Sequence, residues 1–102
     1  MIVENKNMGT KVEYTVQGTV ISFNEEITLD LAKYERDFPV HLDLSKNEHD
    51  MLILGVKRQY VAEIDIPARV YEEDLDEEEN IYQVPVALDM STLKLTLWSL
   101  EV

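Results

Sequence analysis

The sequence predicts a mainly β protein: an antiparallel β-sandwich or small barrel of six to eight strands, with at most one short helix near residues 31–38. Three observations carry that expectation. Apolar and polar residues alternate in several short runs, most cleanly at Val40, Leu42, Leu44 and at Ala62, Ile64, Ile66. Turn-forming residues separate these runs at short intervals. Helical spacing is confined to brief stretches, the best being Leu31, Tyr34 and Phe38 at i, i+3, i+7.

Residues 1–10 show no sustained period and are expected as a loose arm or short edge strand preceding a single β domain over 11–102. Alternation begins at Val12, Tyr14, Val16. The apolar parity then switches to Ile21 and Phe23, which needs a turn or a bulge, and Gly18 supplies either. Two short strands near 11–16 and 19–24 follow, then a turn at Asn24-Glu25-Glu26 and a half-buried strand through Ile27, Leu29 and Leu31. Asp30 can cap a turn or two of helix that Pro39 would stop. Val40–Leu44 is a strand, and Lys46–Asp50 a turn into a second strand at Met51–Val56. The capping-box pattern Ser45-Lys46-Asn47-Glu48 offers a helix as the competing reading. At the end of the chain Leu93, Leu95 and Leu97 alternate with Lys94 and Thr96. Trp98 then falls on the outer face unless a bulge turns it inward.

Between these lies the segment expected to form a projecting hairpin over residues 60–90. If its loop is centred on Asp76, Ile66 faces Val86 and Ile64 faces Leu88, and every inward pair is apolar. The same register sets Pro67 opposite Pro85. Neither can donate to a ladder, so the strands should leave the main sheet there and continue as a two-stranded arm.

Composition narrows function mainly by exclusion. A chain of 102 residues with 45% hydrophobic content can bury one core. The absence of cysteine removes disulfides and thiolate metal sites. No apolar run approaches a membrane span or a signal-peptide core, so a cytoplasmic, non-membrane protein is expected. With 21 acidic against nine basic residues, net charge −12, direct binding to nucleic-acid phosphates is disfavoured. Seven of the acids lie within Glu72–Glu79.

Catalytic constellations are missing from the sequence, and no cofactor, metal or enzymatic activity is expected. His41 falls on the polar parity of its strand and His49 in a turn, so both read as surface histidines. Glu63 and Asp65 share a strand face that solvent exposure explains. The serines lie in no nucleophile motif, and three dispersed glycines cannot build a phosphate-cradling loop. The acidic run lacks the spacing and the glycine of a calcium loop.

What remains is interaction chemistry. Candidate contact residues are Tyr71, Glu72, Glu73, Asp74, Asp76, Glu77, Glu78 and Glu79 on the arm, with Trp98 on the last strand. The expected role is a non-enzymatic interaction or assembly module, using a sheet edge or the acidic hairpin. Its partner would be a protein with a basic or apolar surface, another copy of itself included. Two alternatives stand beside it: an acidic nucleic-acid mimic that inhibits a DNA-handling protein, and a carbohydrate-binding β-sandwich.

Overall fold

The computed structural model describes residues 1–101, and ten strands among them gather into three sheets. The strands are β1 (Ile2–Asn5), β2 (Tyr14–Gln17), β3 (Val20–Phe23), β4 (Ile27–Asp30), β5 (Val40–Lys46), β6 (Leu52–Leu54), β7 (Gln59–Ile66), β8 (Tyr71–Leu75), β9 (Ile81–Pro85) and β10 (Lys94–Leu97). Five form a sheet in the order β1-β10-β7-β5-β6, three form β2-β3-β4, and β8 pairs with β9 alone. The protein is mainly β, and no α-helix occurs among the described residues.

One core joins the two larger sheets. Ile21, Phe23, Leu29 and Leu31 on one side meet Leu44, Val61, Ala62, Ile64, Ile66, Leu93, Leu95 and Leu97 on the other. Val61 apart, these are the apolar positions that alternation marked, and each large side chain fully removed from water contributes roughly 1.5–3 kcal/mol. Strand β7 is the keel: β5 and β10 both pair with it antiparallel. A bulge in its pairing with β5 sets Leu44 opposite Ala62 and Ser45 opposite Tyr60, leaving Val61 as the extra residue. Val61 therefore turns into the core, fully buried.

The turns follow local chemistry. Asn24 and Glu25 both have positive φ, at 49° and 58°, and Glu26 N–H donates to Phe23 O at 2.9 Å, a type I′-like turn inside the three-residue connection that closes with Phe23 paired to Ile27. Gly18 adopts φ 61° between β2 and β3, so the parity switch is a turn. Residues Asn47–Met51 link β5 to β6, and the helical alternative for that stretch does not form.

Three expectations change and one is decided. Of the two readings of residues 1–10 the short edge strand forms: β1 pairs parallel with β10, Ile2 beside Lys94 through Asn5 beside Leu97. All four β1 residues are exposed, so burial left no alternation to read. The expected helix near 31–38 shrinks to one 3₁₀ turn, Leu31–Lys33, capped by the Asp30 carboxylate. Eight residues are too few to offset helix nucleation, and Phe38 stays exposed instead of anchoring a face. The strand count is ten rather than six to eight.

The last change concerns the hairpin. It spans Tyr71–Pro85, not 60–90, because β7 takes its partners from β5 and β10. Within it Tyr71 pairs with Pro85 and Leu75 with Ile81, a register displaced by four residues from the expected one. Pro67 and Pro85 do not face each other. The loop is shorter than the acidic run, so Glu72, Glu73 and Asp74 lie in β8 and only Asp76–Glu79 turn the chain. The two-stranded arm nonetheless starts beyond Pro67, where β7 ends.

Candidate functional site

Two surfaces concentrate polar chemistry: the β8–β9 arm, and the outer face of the five-stranded sheet.

The arm carries eight of the nine residues singled out from sequence. All five residues of β8 are exposed, and of β9 only Val84 is partly covered. Antiparallel pairing places Tyr71, Glu73, Leu75, Ile81 and Gln83 on one face and Glu72, Asp74, Tyr82 and Val84 on the other. Acids thus occupy both faces. Between them five large apolar side chains, Val70, Tyr71, Leu75, Ile81 and Tyr82, are left uncovered. At the tip, Asp76 Oδ1 accepts the backbone N–H groups of Glu78 and Asn80, both at 2.9 Å. These bonds, Asn80 first, hold the Asp76 carboxyl below its ordinary pKa. Glu79 sits in the left-handed region at φ 65°. The root is pinned by Arg69: its backbone N–H donates to Arg36 O at 2.8 Å, and its guanidinium reaches Glu35 O at 2.9 Å and Glu35 Oε1 at 3.4 Å. Tyr71 Oη donates to Asp37. The chain measures 61 Å along its longest axis against 23 and 22 Å across.

Trp98 does not join these residues. It lies beside Tyr60 at the start of β7, whereas the arm leaves beyond the other end of that strand. Its ring stacks on Tyr60 with centroids 5.3 Å apart, Lys6 Nζ stands 5.7 Å from the ring centre, and the ring is half-buried. Its indole N–H donates to Glu63 Oε2 at 2.7 Å.

That bond leads to the second surface. Cross-strand register aligns His41 with Asp65 and Asp43 with Glu63 on one face of β5 and β7, and carries the rows on to Lys94 and Thr96 of β10. His41 Nδ1 lies 2.6 Å from Asp65 Oδ1, and Nε2 lies 2.8 Å from Asp43 Oδ1 and 3.5 Å from Glu63 Oε1. With a carboxylate at each ring nitrogen, both nitrogens act as donors. The hydrogen bond to Asp65, opposed by partial desolvation and supported by Asp43, raises the His41 pKa. Lys94 Nζ pairs with Glu4 Oε2 at 2.6 Å at the edge of this patch, which raises the lysine pKa and lowers that of Glu4.

Sequence reasoning missed the grouping, although it marked His41, Glu63 and Asp65 as polar-parity residues. The missing information was the neighbour: the expected hairpin pairs the strand from Tyr60 with residues 82–90, which keeps Glu63 and Asp65 away from His41. The outer-face parity of β5 and β7 would have found the cluster once the two strands were paired.

Among cavities, a groove of about 200 Å³ runs along the arm root, lined by Glu35, Pro67, Val70, Val86 and Leu88 among others. No helix of the described residues is long and apolar enough to cross a membrane. Comparison with protein families, curated proteins and solved structures finds no match for this chain.

Proposed function

We propose that the protein is a non-enzymatic interaction module that presents the β8–β9 arm to a partner protein with a basic surface. In this reading the five- and three-stranded sheets act as a sandwich-like base, and the arm is the working part. One observation carries it: a two-stranded ribbon stands uncovered, with apolar side chains and carboxylates on both faces. Two strands alone are marginal in water, and a third strand or an apolar surface laid against them supplies the missing burial.

Charge selects the occupant. No basic residue lies within 71–85, so two arms laid side by side would set carboxylates against carboxylates. A partner bearing lysine or arginine beside an apolar stripe satisfies both features, by adding a strand or by receiving the arm in a groove.

The test is native purification of the full chain at low salt, beside a variant with Leu75, Ile81 and Tyr82 changed to Ser and a variant with Glu72, Glu73 and Asp74 changed to Gln, Gln and Asn. The expected result is a defined basic protein that co-purifies with the native chain, is released by salt and is lost from both variants. A monomer without a partner, or a partner equally retained by both variants, would overturn the proposal.

The acidic nucleic-acid mimic is the second reading. It is favoured by acids extending out of the tip along β8 instead of crowding one loop. It predicts that the co-purifying protein binds DNA and that DNA competes with the arm for it.

A further inference from the structure

We infer that His41, Asp43 and Glu63 form a binding site for a divalent transition-metal ion of the zinc type on the outer face of the five-stranded sheet. His41 Nε2 and a carboxylate oxygen from each of the two acids lie within 4.8 Å of one another. Nε2 stands 2.8 Å from Asp43 Oδ1 and 3.5 Å from Glu63 Oε1. Ligands bound at 2.0–2.1 Å in tetrahedral array are spaced by roughly 3.4 Å, so the three atoms need shift only slightly to share one ion.

The site is more than a patch of acids, because its outer positions are filled by residues outside the trio. Asp65 takes the Nδ1 side of the ring at 2.6 Å, which aims Nε2 at the other two ligands. A carboxylate behind a ligating imidazole fixes its tautomer and raises its basicity. Trp98 donates to Glu63 Oε2 at 2.7 Å and leaves Oε1 as the free oxygen. The backbone supplies the placement: the ligands project from adjacent antiparallel strands, Asp43 directly opposite Glu63.

Chemistry chooses the class of ion. An imidazole ligand suits zinc, cobalt, nickel or copper, whereas magnesium and calcium prefer all-oxygen sets. On binding, the imidazolium gives up its Nε2 proton to solvent and the nitrogen lone pair takes the ion. Lys94 and Glu4 face the same patch but pair with each other, so neither competes for the ligand atoms. Three protein ligands on an exposed face leave the remaining coordination positions to water.

Trp98 is the only tryptophan and touches a ligand directly, so its fluorescence reports the site. Titration of the full chain with Co²⁺ and with Zn²⁺ should change Trp98 emission saturably, with one ion per chain, while Mg²⁺ and Ca²⁺ leave it unchanged. His41→Gln and Asp43→Asn should each weaken the response about tenfold or more, and Asp65→Asn by about 10- to 100-fold. Circular dichroism checks that each variant keeps its sheets. For any that does not, the native chain decides through the ¹⁵N shift of His41 Nε2 on adding Zn²⁺, with His49 as internal control. No emission change, a response indifferent to His41→Gln, or one removed by neutralising Glu77, Glu78 and Glu79 would overturn the inference. The last outcome would mean loose cation attraction to the arm.

Discussion

Asp76 closes the tip of the arm around Asn80, its Oδ1 accepting the Asn80 backbone N–H at 2.9 Å and its Oδ2 the side-chain amide at 3.3 Å. The same device closes the β5–β6 connection, where Asn47 Oδ1 accepts the N–H groups of His49 and Met51 at 2.9 and 3.1 Å. In each loop the next-to-last residue has positive φ, Glu79 in one and Asp50 in the other. Two hairpins of unlike composition thus share one turn, nucleated by an Asx side chain.

The Asp76 bond makes the tip acid-sensitive. Its folded pKa is lowered by the Asn80 and Glu78 contacts, so their stabilisation is complete above the unfolded aspartate value and fades as pH falls through the folded one. In ¹H–¹⁵N spectra the Glu78 and Asn80 amides should titrate together, with a midpoint below that of an ordinary aspartate. A midpoint at or above the ordinary value would contradict the assigned bonds. Asp76→Asn should remove this titration while keeping the turn, since asparagine serves at Asn47.

Strain at the β3–β4 turn gives a stabilising substitution. Type I′ turns favour glycine at the second central position, and Glu25 occupies it with φ 58°. Relief of that conformation is worth about 1 kcal/mol, less the entropy glycine adds to the unfolded chain. Glu25→Gly should therefore raise the urea midpoint by an amount equivalent to about a few tenths of a kcal/mol or more in stability, with an unchanged m-value. A lower midpoint would mean that the Glu25 side chain makes a compensating contact.

The N-terminal segment offers the opposite case. Gly9 has φ 128°, and a Cβ there would lie 2.2 Å from Ser99 Oγ. Around it Asn7 Oδ1 accepts Ser99 N–H at 2.6 Å, and Thr10 O accepts Leu100 N–H at 2.7 Å, stitching the two ends of the chain together. Gly9→Ala should cost about 1–3 kcal/mol in chemical denaturation and raise amide exchange in β1. An effect below a few tenths of a kcal/mol would show that this contact does not hold β1.

How far the sequence could be read depended on whether burial left a trace in it. Ala62, Ile64 and Ile66 alternate because one face of β7 is in the core, and Leu93, Leu95 and Leu97 do so for the same reason. Ile64→Ala should accordingly cost about 2–5 kcal/mol, measured from the urea midpoint. Strand β1 and the arm are exposed on both faces, so no pattern fixed their partners or register. The apolar residues at 82–90 looked like a match for β7, but antiparallel pairing with β5 and β10 already satisfies both edges of that strand. The His41 cluster was hidden by the same error, because side chains on two strands meet only when the strands are neighbours.

The root of the arm depends on Arg69. Glu35, largely buried, accepts from its guanidinium, Asp37 stands 3.4 Å from it, and its own N–H donates to Arg36 O. These bonds tie the chain just before β8 to the segment after the 3₁₀ turn, and they set the direction in which the arm leaves the body. In Arg69→Ala the backbone bond survives but Glu35 loses its cationic partner, a more harmful change than removing both charges together. The variant should lower the thermal midpoint and speed amide exchange through β8 and β9, while β7 and β10 keep native protection. Arg69→Ala combined with Glu35→Gln should recover part of the lost midpoint. Equal exchange in native and Arg69→Ala arms would show that the arm is held by its apolar groove alone, through Val70, Val86 and Leu88.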